Sequence, residues 1–573
     1  MKFKEKPRGL KSVEGADLNI SNFNNLILEN FNVNGHSTLN LNYIRPRPYT
    51  IRNCFFAGDL RIDGVFTSDF QITDCYIAYL EISINHAKSI TLSNCSIDTL
   101  TIVGGDSLFD LTLNTISENS DEPNCFIRTI NFDINTCRIN FEKVNFENAK
   151  IKLAQIENSS SEISISNCNA NEGNALHYKE IRDSIYKLME DKNEVKSTLE
   201  IYGYTKFLVI QNSILTSLDA EKLYQPSISI INSIIKVQAA IKCHVIQSFK
   251  IQNSQLTSLL INSLTLIYLE IINDFKGSLF VKTGNLNNVK IFKNDGGTLC
   301  IYKLDLSNCV MHNLVEIQDC IIENLNLNQF GNPKGNLIFK RCQIRQTISM
   351  INSSIGKSSF NNVNFDKNLT FKFLNSEIID SKFLTVDWMN KHRLDEELPS
   401  NIMTKQDKLQ HYLTVKESYR QLKEISLKAL NRYDALNFQR NEQRMYKEIL
   451  WIKRNYIDHF LLKTNDVFND FGLSYIKPLF WLLSMHLVLF CLVMSFGDNI
   501  LPYTFSLFSG TFSWSETLKA FSQYFQTLIP IHNADYLGGK LGFPLIIDIL
   551  MRISSGYFIY YLISASRKFH INS

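Results

Sequence analysis

A chain of 573 residues, 45% hydrophobic and 20% charged, has length for two or more domains and apolar content enough to fold them. Its formal net charge of +3, from 59 basic and 56 acidic residues, argues against an acidic DNA-mimicking surface and is too small to predict nucleic-acid binding by itself, so a basic patch has to be found locally. Twelve cysteines with no CxxC pair exclude the usual zinc spacings, and the cations of MKFKEKPRGLKSVEGADLNI, with no apolar run behind them, do not read as a secretory signal.

The first cluster in chain order is Tyr43-Ile44-Arg45-Pro46-Arg47-Pro48-Tyr49 with Arg52, preceded by a basic arm of Lys2, Lys4, Lys6, Arg8 and Lys11. Guanidinium forks match phosphates and tyrosines stack on bases, so Tyr43, Arg45, Arg47, Tyr49 and Arg52 are a candidate site for an anionic signal, a nucleotide or a short single-stranded oligonucleotide. The alternative is a solvated cap over the coil that follows.

Around and beyond this cluster runs a repeat, apolar-x-Asn/Asp-Cys/Ser-x-apolar. It occurs as Ile51-Arg52-Asn53-Cys54-Phe55-Phe56, Ile72-Thr73-Asp74-Cys75-Tyr76-Ile77 and Leu92-Ser93-Asn94-Cys95-Ser96-Ile97. It returns as Ile210-Gln211-Asn212-Ser213, Ile230-Ile231-Asn232-Ser233 and Ile251-Gln252-Asn253-Ser254, then around Cys309, Cys320, Cys342, Ser353 and Ser376. Most neighbouring copies lie 20–23 residues apart. Apolar and polar residues alternate within a copy, so the units are strands, and a period of this size means a stacked array whose single unit cannot bury its own apolar face. The Asn/Asp is expected to satisfy the turn backbone and the small Cys or Ser to fit the inside of a corner. Seven cysteines (Cys54, Cys75, Cys95, Cys168, Cys309, Cys320, Cys342) sit where other copies have Ser, which reads as buried free thiols in a reducing compartment. The pattern resembles the pentapeptide-repeat and right-handed β-helix proteins over residues 20–175 and 205–388, and implies an all-β solenoid.

Two segments break the strand pattern. His177–Tyr204 and Ser418–Tyr446 each carry a helical stretch, a polar break and a second helical stretch. Tyr178, Ile181, Ile185 and Leu188 lie on one face of the first; Tyr419, Leu422 and Leu430 do the same in the second. Both read as αα-hairpins, and the second hairpin's last helix is expected to continue through Trp451–Phe460. The first either caps or joins two solenoid halves, or both hairpins serve subunit packing or gating.

The C-terminal part contains two apolar stretches, Pro478–Phe496 without Asp, Glu, Lys or Arg, and Phe543–Ser566 broken only by Asp548 and Arg552. Both are long enough to cross ~30 Å of hydrocarbon as helices. Between them, 513–531 reads as a short helix from Trp514, capped by Ser513 with Glu516, ending at Thr527-Leu528-Ile529-Pro530-Ile531 because Pro530 stops it. Cations flank the pair of spans (Arg444, Lys447, Lys453, Arg454, Lys463, Lys477, Arg567, Lys568) while the connecting loop has only Lys519 and Lys540, which places both termini in the cytoplasm. Asp548, Arg552, Ser555 and Ile559 recur at helical spacing on one face, with Gly556 as a bending or packing point, and charges inside a span normally face a bundle interior or water. Thr527, Leu528, Ile529, Pro530, Asp548, Arg552, Ser555, Gly556 and Ile559 are therefore the candidate pore lining. An i,i+4 pair between Asp548 and Arg552 that neutralises itself is the simpler alternative.

Over 478–570 the order of helix, re-entrant helix and helix resembles the two-helix pore domain of tetrameric ion channels, especially bacterial ones fused to pentapeptide repeats. The Thr-Val-Gly-Tyr-Gly filter is absent, so potassium selectivity is not implied. The expected organisation is a solenoid half over 1–175, a helical insertion over 176–204, a second solenoid half over 205–388, a helical linker over 389–470 and a membrane domain over 471–573. No nucleophile elbow, phosphate loop, HExxH or metal-ligand spacing occurs, so no catalytic residue, metal or cofactor is assigned and no enzyme is expected. The resemblance implies an oligomeric, tetrameric channel of the bacterial inner membrane, weakly selective, gated by an anionic signal or an operon-encoded protein partner, in the manner of antiphage effectors of abortive infection. The alternative is a non-conducting solenoid scaffold anchored in the lipid bilayer to bind a protein partner.

Overall fold

The computed structural model describes residues 11–14, 27–41, 48–64, 69–84, 87–104, 109–114, 125–134, 137–153, 162–166, 168, 198–203, 205–223, 225–294, 297–378, 380–394, 404–496, 514–533, 537 and 542–570. They form two compact units, 1–390 and 391–573.

The first unit is a parallel β-solenoid of about 13 turns. A coil contributes a short strand that ends at the motif and a longer one that follows it, as in Asp69–Thr73 then Tyr76–Ile84, and Ser89–Ser93 then Ser96–Gly104. Each strand hydrogen-bonds in parallel to its counterpart one coil later, so Ile72 faces Leu92 and Ile77 faces Ile97. One apolar position therefore climbs the whole stack. Ile51, Ile72, Leu92, Leu113, Phe141, Ile165, Ile210, Ile230, Ile251, Ile271, Ile291, Ile317, Phe339 and Phe360 are each in register with the next. All are buried, as the alternation requires when one strand face meets the interior.

The corners add a feature along the stack. Asn53, Asp74, Asn94, Asn212, Asn232, Asn253, Asn352 and Asn375 have φ between 48° and 53°, the left-handed region that Asn and Asp tolerate best among residues with a side chain. Several of these side chains bond to one another along the stack. Asn94 Nδ2 donates to Asp74 Oδ1 (3.1 Å), Asn253 to Asn232 (3.1 Å), Asn273 to Asn253 (2.8 Å) and Asn375 to Asn352 (2.7 Å).

The small residue after the Asn behaves as the motif implies. Ser233 Oγ donates to Ile231 O (2.8 Å) and accepts from Ser213 N (3.2 Å), and Ser254 repeats both contacts one coil on, donating to Gln252 O (2.8 Å) and accepting from Ser233 N (3.1 Å). A thiol fills the same place elsewhere: Cys95 Sγ lies 3.2 Å from Ser93 O. All seven motif cysteines are buried and free. Burial pushes the Cys168 thiol up to about 12 and Cys309 to about 11, so little thiolate exists at neutral pH. Alkylation of the folded chain at pH 8 should label exposed Cys300 quickly and leave the motif thiols unmodified until denaturant is added. Cys95→Ser should be nearly neutral, since Ser holds that place in other coils, whereas Cys95→Phe should destabilise by about 1–3 kcal/mol through overpacking, read from the unfolding midpoint.

Of the first predicted hairpin, 177–197 and Tyr204 lie outside the described residues. Its end is corrected: Thr198–Tyr202 is a strand. That strand pairs with Asn148–Lys152 before the insertion, and Phe207–Gln211 pairs with Glu162–Ser166, so the coils on either side stack directly. The two solenoid halves are one stack. The last coils end on Trp388, whose ring packs on Phe365 (5.3 Å) and Phe383 (5.1 Å) and covers the final rung.

The second unit is helical: α1 Lys405–Lys428, α2 Arg432–Ile452, α3 Tyr456–Asn469, α4 Ile476–Phe496, α5 Trp514–Leu528 and α6 Phe543–His570. Three N-caps share one device. Thr404, Asn431 and Asn455 side chains accept from the backbone N–H of Asp407, Asp434 and Asp458, three residues on (3.1, 3.2 and 3.3 Å), and each Asp adds charge to the first turn. Helices α1 and α2 form the expected hairpin, with Tyr419 and Leu422 buried. Leu430 is not on that face: it is 91% exposed, at φ 58° in the turn. The helix expected to run on through Trp451–Phe460 also breaks, because Arg454 adopts φ 63° and Asn455 caps α3.

Candidate functional site

Helices α4 and α6 are both long and apolar enough to cross a membrane. They pack through Leu489, Phe490, Val493, Ile547 and Met551, and α5 joins them through Tyr524, whose hydroxyl donates to Leu483 O on α4 (2.9 Å). Ser513 lies outside the described residues; helix α5 starts at Trp514 as expected and stops two residues before Pro530.

Inside this apolar packing sit two polar clusters. In the first, His486 of α4 bridges α5 and α6: its Nε2 is 3.1 Å from Thr527 Oγ1 and its Nδ1 is 3.3 Å from Ser555 Oγ. Thr527 gives its only hydroxyl proton to the backbone of its own helix, to Gln523 O or Tyr524 O (3.0 Å each), so Nε2–H donates to Thr527 and Nδ1 accepts from Ser555. Thr527 and Ser555 are fully buried and His486 nearly so. In the second, Asp548, 1% exposed, accepts from Arg552 Nε (2.7 Å) and from His532 Nε2 (2.8 Å). His532 Nδ1 in turn lies 2.8 Å from Ile529 O, so both ring nitrogens face oxygen acceptors.

The nine residues proposed from the sequence are thus divided. Asp548 and Ser555 are buried on the α6 face that also carries Met551 and Phe558. Arg552 and Ile559 are half-buried beside that face. Thr527 is buried, Leu528 and Pro530 are half-buried, and Ile529 is 59% exposed. Gly556 lies under Pro530: a Cβ there would be 3.9 Å from Pro530 Cγ, so the chain after α5 rests on α6. His486 and His532 were not among the nine. The sequence signal for His486 is an ionisable side chain in a span that holds no Asp, Glu, Lys or Arg.

A second set of charges ties α2 and α3 to the start of α4. Arg440, 8% exposed, bonds Asp470 (3.3 Å) and donates to Lys391 O (3.0 Å), while Asn441 Nδ2 donates to Lys391 O (3.0 Å) and His392 O (2.9 Å). Arg444 reaches Asp470 (2.9 Å) and Asp466 (3.4 Å), Lys447 reaches Asp466 (2.8 Å), and Lys477 at the head of α4 reaches Asp470 (3.8 Å). Burial works to raise the Asp466 carboxyl, but its bonds to Lys447 and Arg444 outweigh it and hold the group below the usual carboxylate range. Asp470 and Phe471 have φ 49° and 55°, and Gly472 has φ 87°, so three successive left-handed residues make the joint between α3 and α4. Phe468 beside the joint packs edge-on against Trp481 (5.2 Å) and Phe558 (5.3 Å), linking it to both long apolar helices.

Of the anion-site residues, Tyr43, Arg45 and Arg47 lie outside the described residues, as do Lys2, Lys4, Lys6 and Arg8. Tyr49 is buried in the coil interior, and Arg52 is exposed beside Asp74 (3.9 Å). Among the described residues no cluster of three or more His, Cys, Asp or Glu could hold a metal ion. No protein-family model, curated protein or solved structure matches the chain, so its function has to be argued from these clusters.

Proposed function

We propose that the chain is a subunit of an oligomeric, weakly selective ion channel of the bacterial inner membrane, with both termini cytoplasmic and a solenoid that senses the gating signal. The observation that carries this is the placement of His486, Thr527, Asp548 and Ser555 between helices of spanning length. Polar and ionisable groups there are costly, and they are retained where a helix bundle must expose water-compatible surface in one of its states. A single α5 cannot enclose a pathway, so several copies, four by resemblance, surround it. The signal class is anionic, from the Tyr43–Arg52 cluster, and the antiphage setting follows from the resemblance alone. The route from sensor to pore would run from Lys391, clamped by Arg440 and Asn441, through Asp470 to α4.

One observation favours the second reading, a non-conducting anchored scaffold: Asp548 is already paired with Arg552 and hydrogen-bonded to His532 within one subunit, and needs no water. Planar-bilayer recording of the full-length protein separates them. Channel activity predicts unitary currents with little discrimination among small ions, shifted in cation-versus-anion preference by Arg552→Gln. Silent bilayers across added nucleotides and oligonucleotides, with the protein shown to be inserted, would leave the scaffold.

A further inference from the structure

Helix α3 turns its apolar side outward. Ile457 (77% exposed), Phe460 (64%), Leu461 (57%) and Val467 (45%) are presented to the surroundings, the reverse of a helix that faces water. Its polar side is fixed inward: Asp466 is held by Lys447 and Arg444 of α2, and His459 Nδ1 is bonded to Lys447 O (3.0 Å). The helix cannot roll to hide its apolar face without breaking these contacts.

The flanks identify what covers it. Trp451 and Tyr456, 55% and 57% exposed, stand at its N-terminal end, and Lys453, Arg454 and Lys463 are exposed, with no acidic partner among the described residues. Six residues, 470–475, separate α3 from α4, a reach of at most about 25 Å. Amphipathic aromatics, free cations and an apolar stripe at the mouth of a spanning helix match the boundary between acyl chains and anionic headgroups. We infer that α3 is an interfacial helix, lying on the bilayer with Ile457, Phe460, Leu461 and Val467 in the acyl boundary and its cations among anionic headgroups. The inference rests on the reading of α4 as a membrane span. The ion pairs that orient α3 also hold α2, so both helices of this unit share that plane.

The test uses full-length protein in nanodiscs containing anionic lipid, with one nitroxide label per protein. Cys243→Ser removes a half-buried thiol. Exposed Cys300 serves as the water reference and exposed Cys491 on α4 as the span reference, each labelled with the other replaced by Ser; the third protein carries both replacements and Phe460→Cys. Collision of the label with oxygen, which partitions into lipid, is compared with collision with a water-soluble nickel chelate. The oxygen-to-nickel ratio at 460 should exceed that at Cys300 several-fold, and should fall when Lys453, Arg454 and Lys463 are changed to Gln. A water-like ratio at 460 with a lipid-like one at Cys491 overturns the inference and leaves the span intact. Spin–spin broadening at 460 with shielding from both reagents means a second copy covers the face, which also overturns it. A water-like ratio at Cys491 removes the span reading itself.

Discussion

Asp548→Ala should be the most damaging single substitution in the helical unit, lowering its stability by about 3–5 kcal/mol, because it leaves the Arg552 guanidinium without its counter-ion and the His532 ring without its acceptor. Asp548 is 1% exposed, so water cannot take over the carboxylate's part. The thermal unfolding midpoint in nanodiscs reads the loss. Asp548→Ala with Arg552→Ala should recover part of it, since the uncompensated cation goes with its partner. Asp548→Asn should fall between, keeping an acceptor for one donor. Equal midpoints for the single and double variants would mean that Asp548 acts through packing, not charge.

Arg440→Ala should come second. It removes the group that joins Asp470 to Lys391 O, and the bonds lost are charge-assisted and buried, so about 2–3 kcal/mol is expected. Hydrogen exchange locates the effect: amide protection should drop at Leu394, whose N–H is bonded to Tyr419 (2.8 Å), and around Asp470, while the solenoid stays unchanged. In the same network Asp466 supplies the pH dependence. Its folded carboxyl titrates below its unfolded value, so its contribution is present at neutral pH and is lost as pH falls below the ordinary carboxylate range. Acidification should therefore loosen α3 from α2 before it affects the solenoid, and Asp466→Asn should weaken that dependence. If Arg440→Ala left the exchange at Leu394 and Asp470 unchanged, the clamp would not be holding this segment.

How much of this was legible follows from the range of each interaction. The Asn-Cys/Ser corners could be read one by one, because each is set by a residue that tolerates left-handed backbone and a neighbour small enough for the corner, within six positions of chain. The amide ladder between Asn94 and Asp74 could not, since a side chain's partner one coil away is fixed only once the register is known. Leu430 had the spacing of a helix face, yet the chain turns there. Arg454 gave no warning of the break before α3, being neither Gly nor Pro, although Asn455 followed by Asp458 repeats the cap seen at Asn431 and Asp434.

By itself the sequence determined the repeating strands, the buried thiols, the two long apolar helices and the amphipathic helix between them. These depend on periods of two, 3.6 and about 20 residues, which are local properties of composition. Only the tertiary structure decided that the coils on either side of 169–197 stack as one solenoid, that His486 joins residues 41 and 69 positions away, and that His532 shares Asp548 with Arg552. Those choices depend on which faces meet after folding, where a single hydrogen bond between distant residues leaves no periodic trace in the chain.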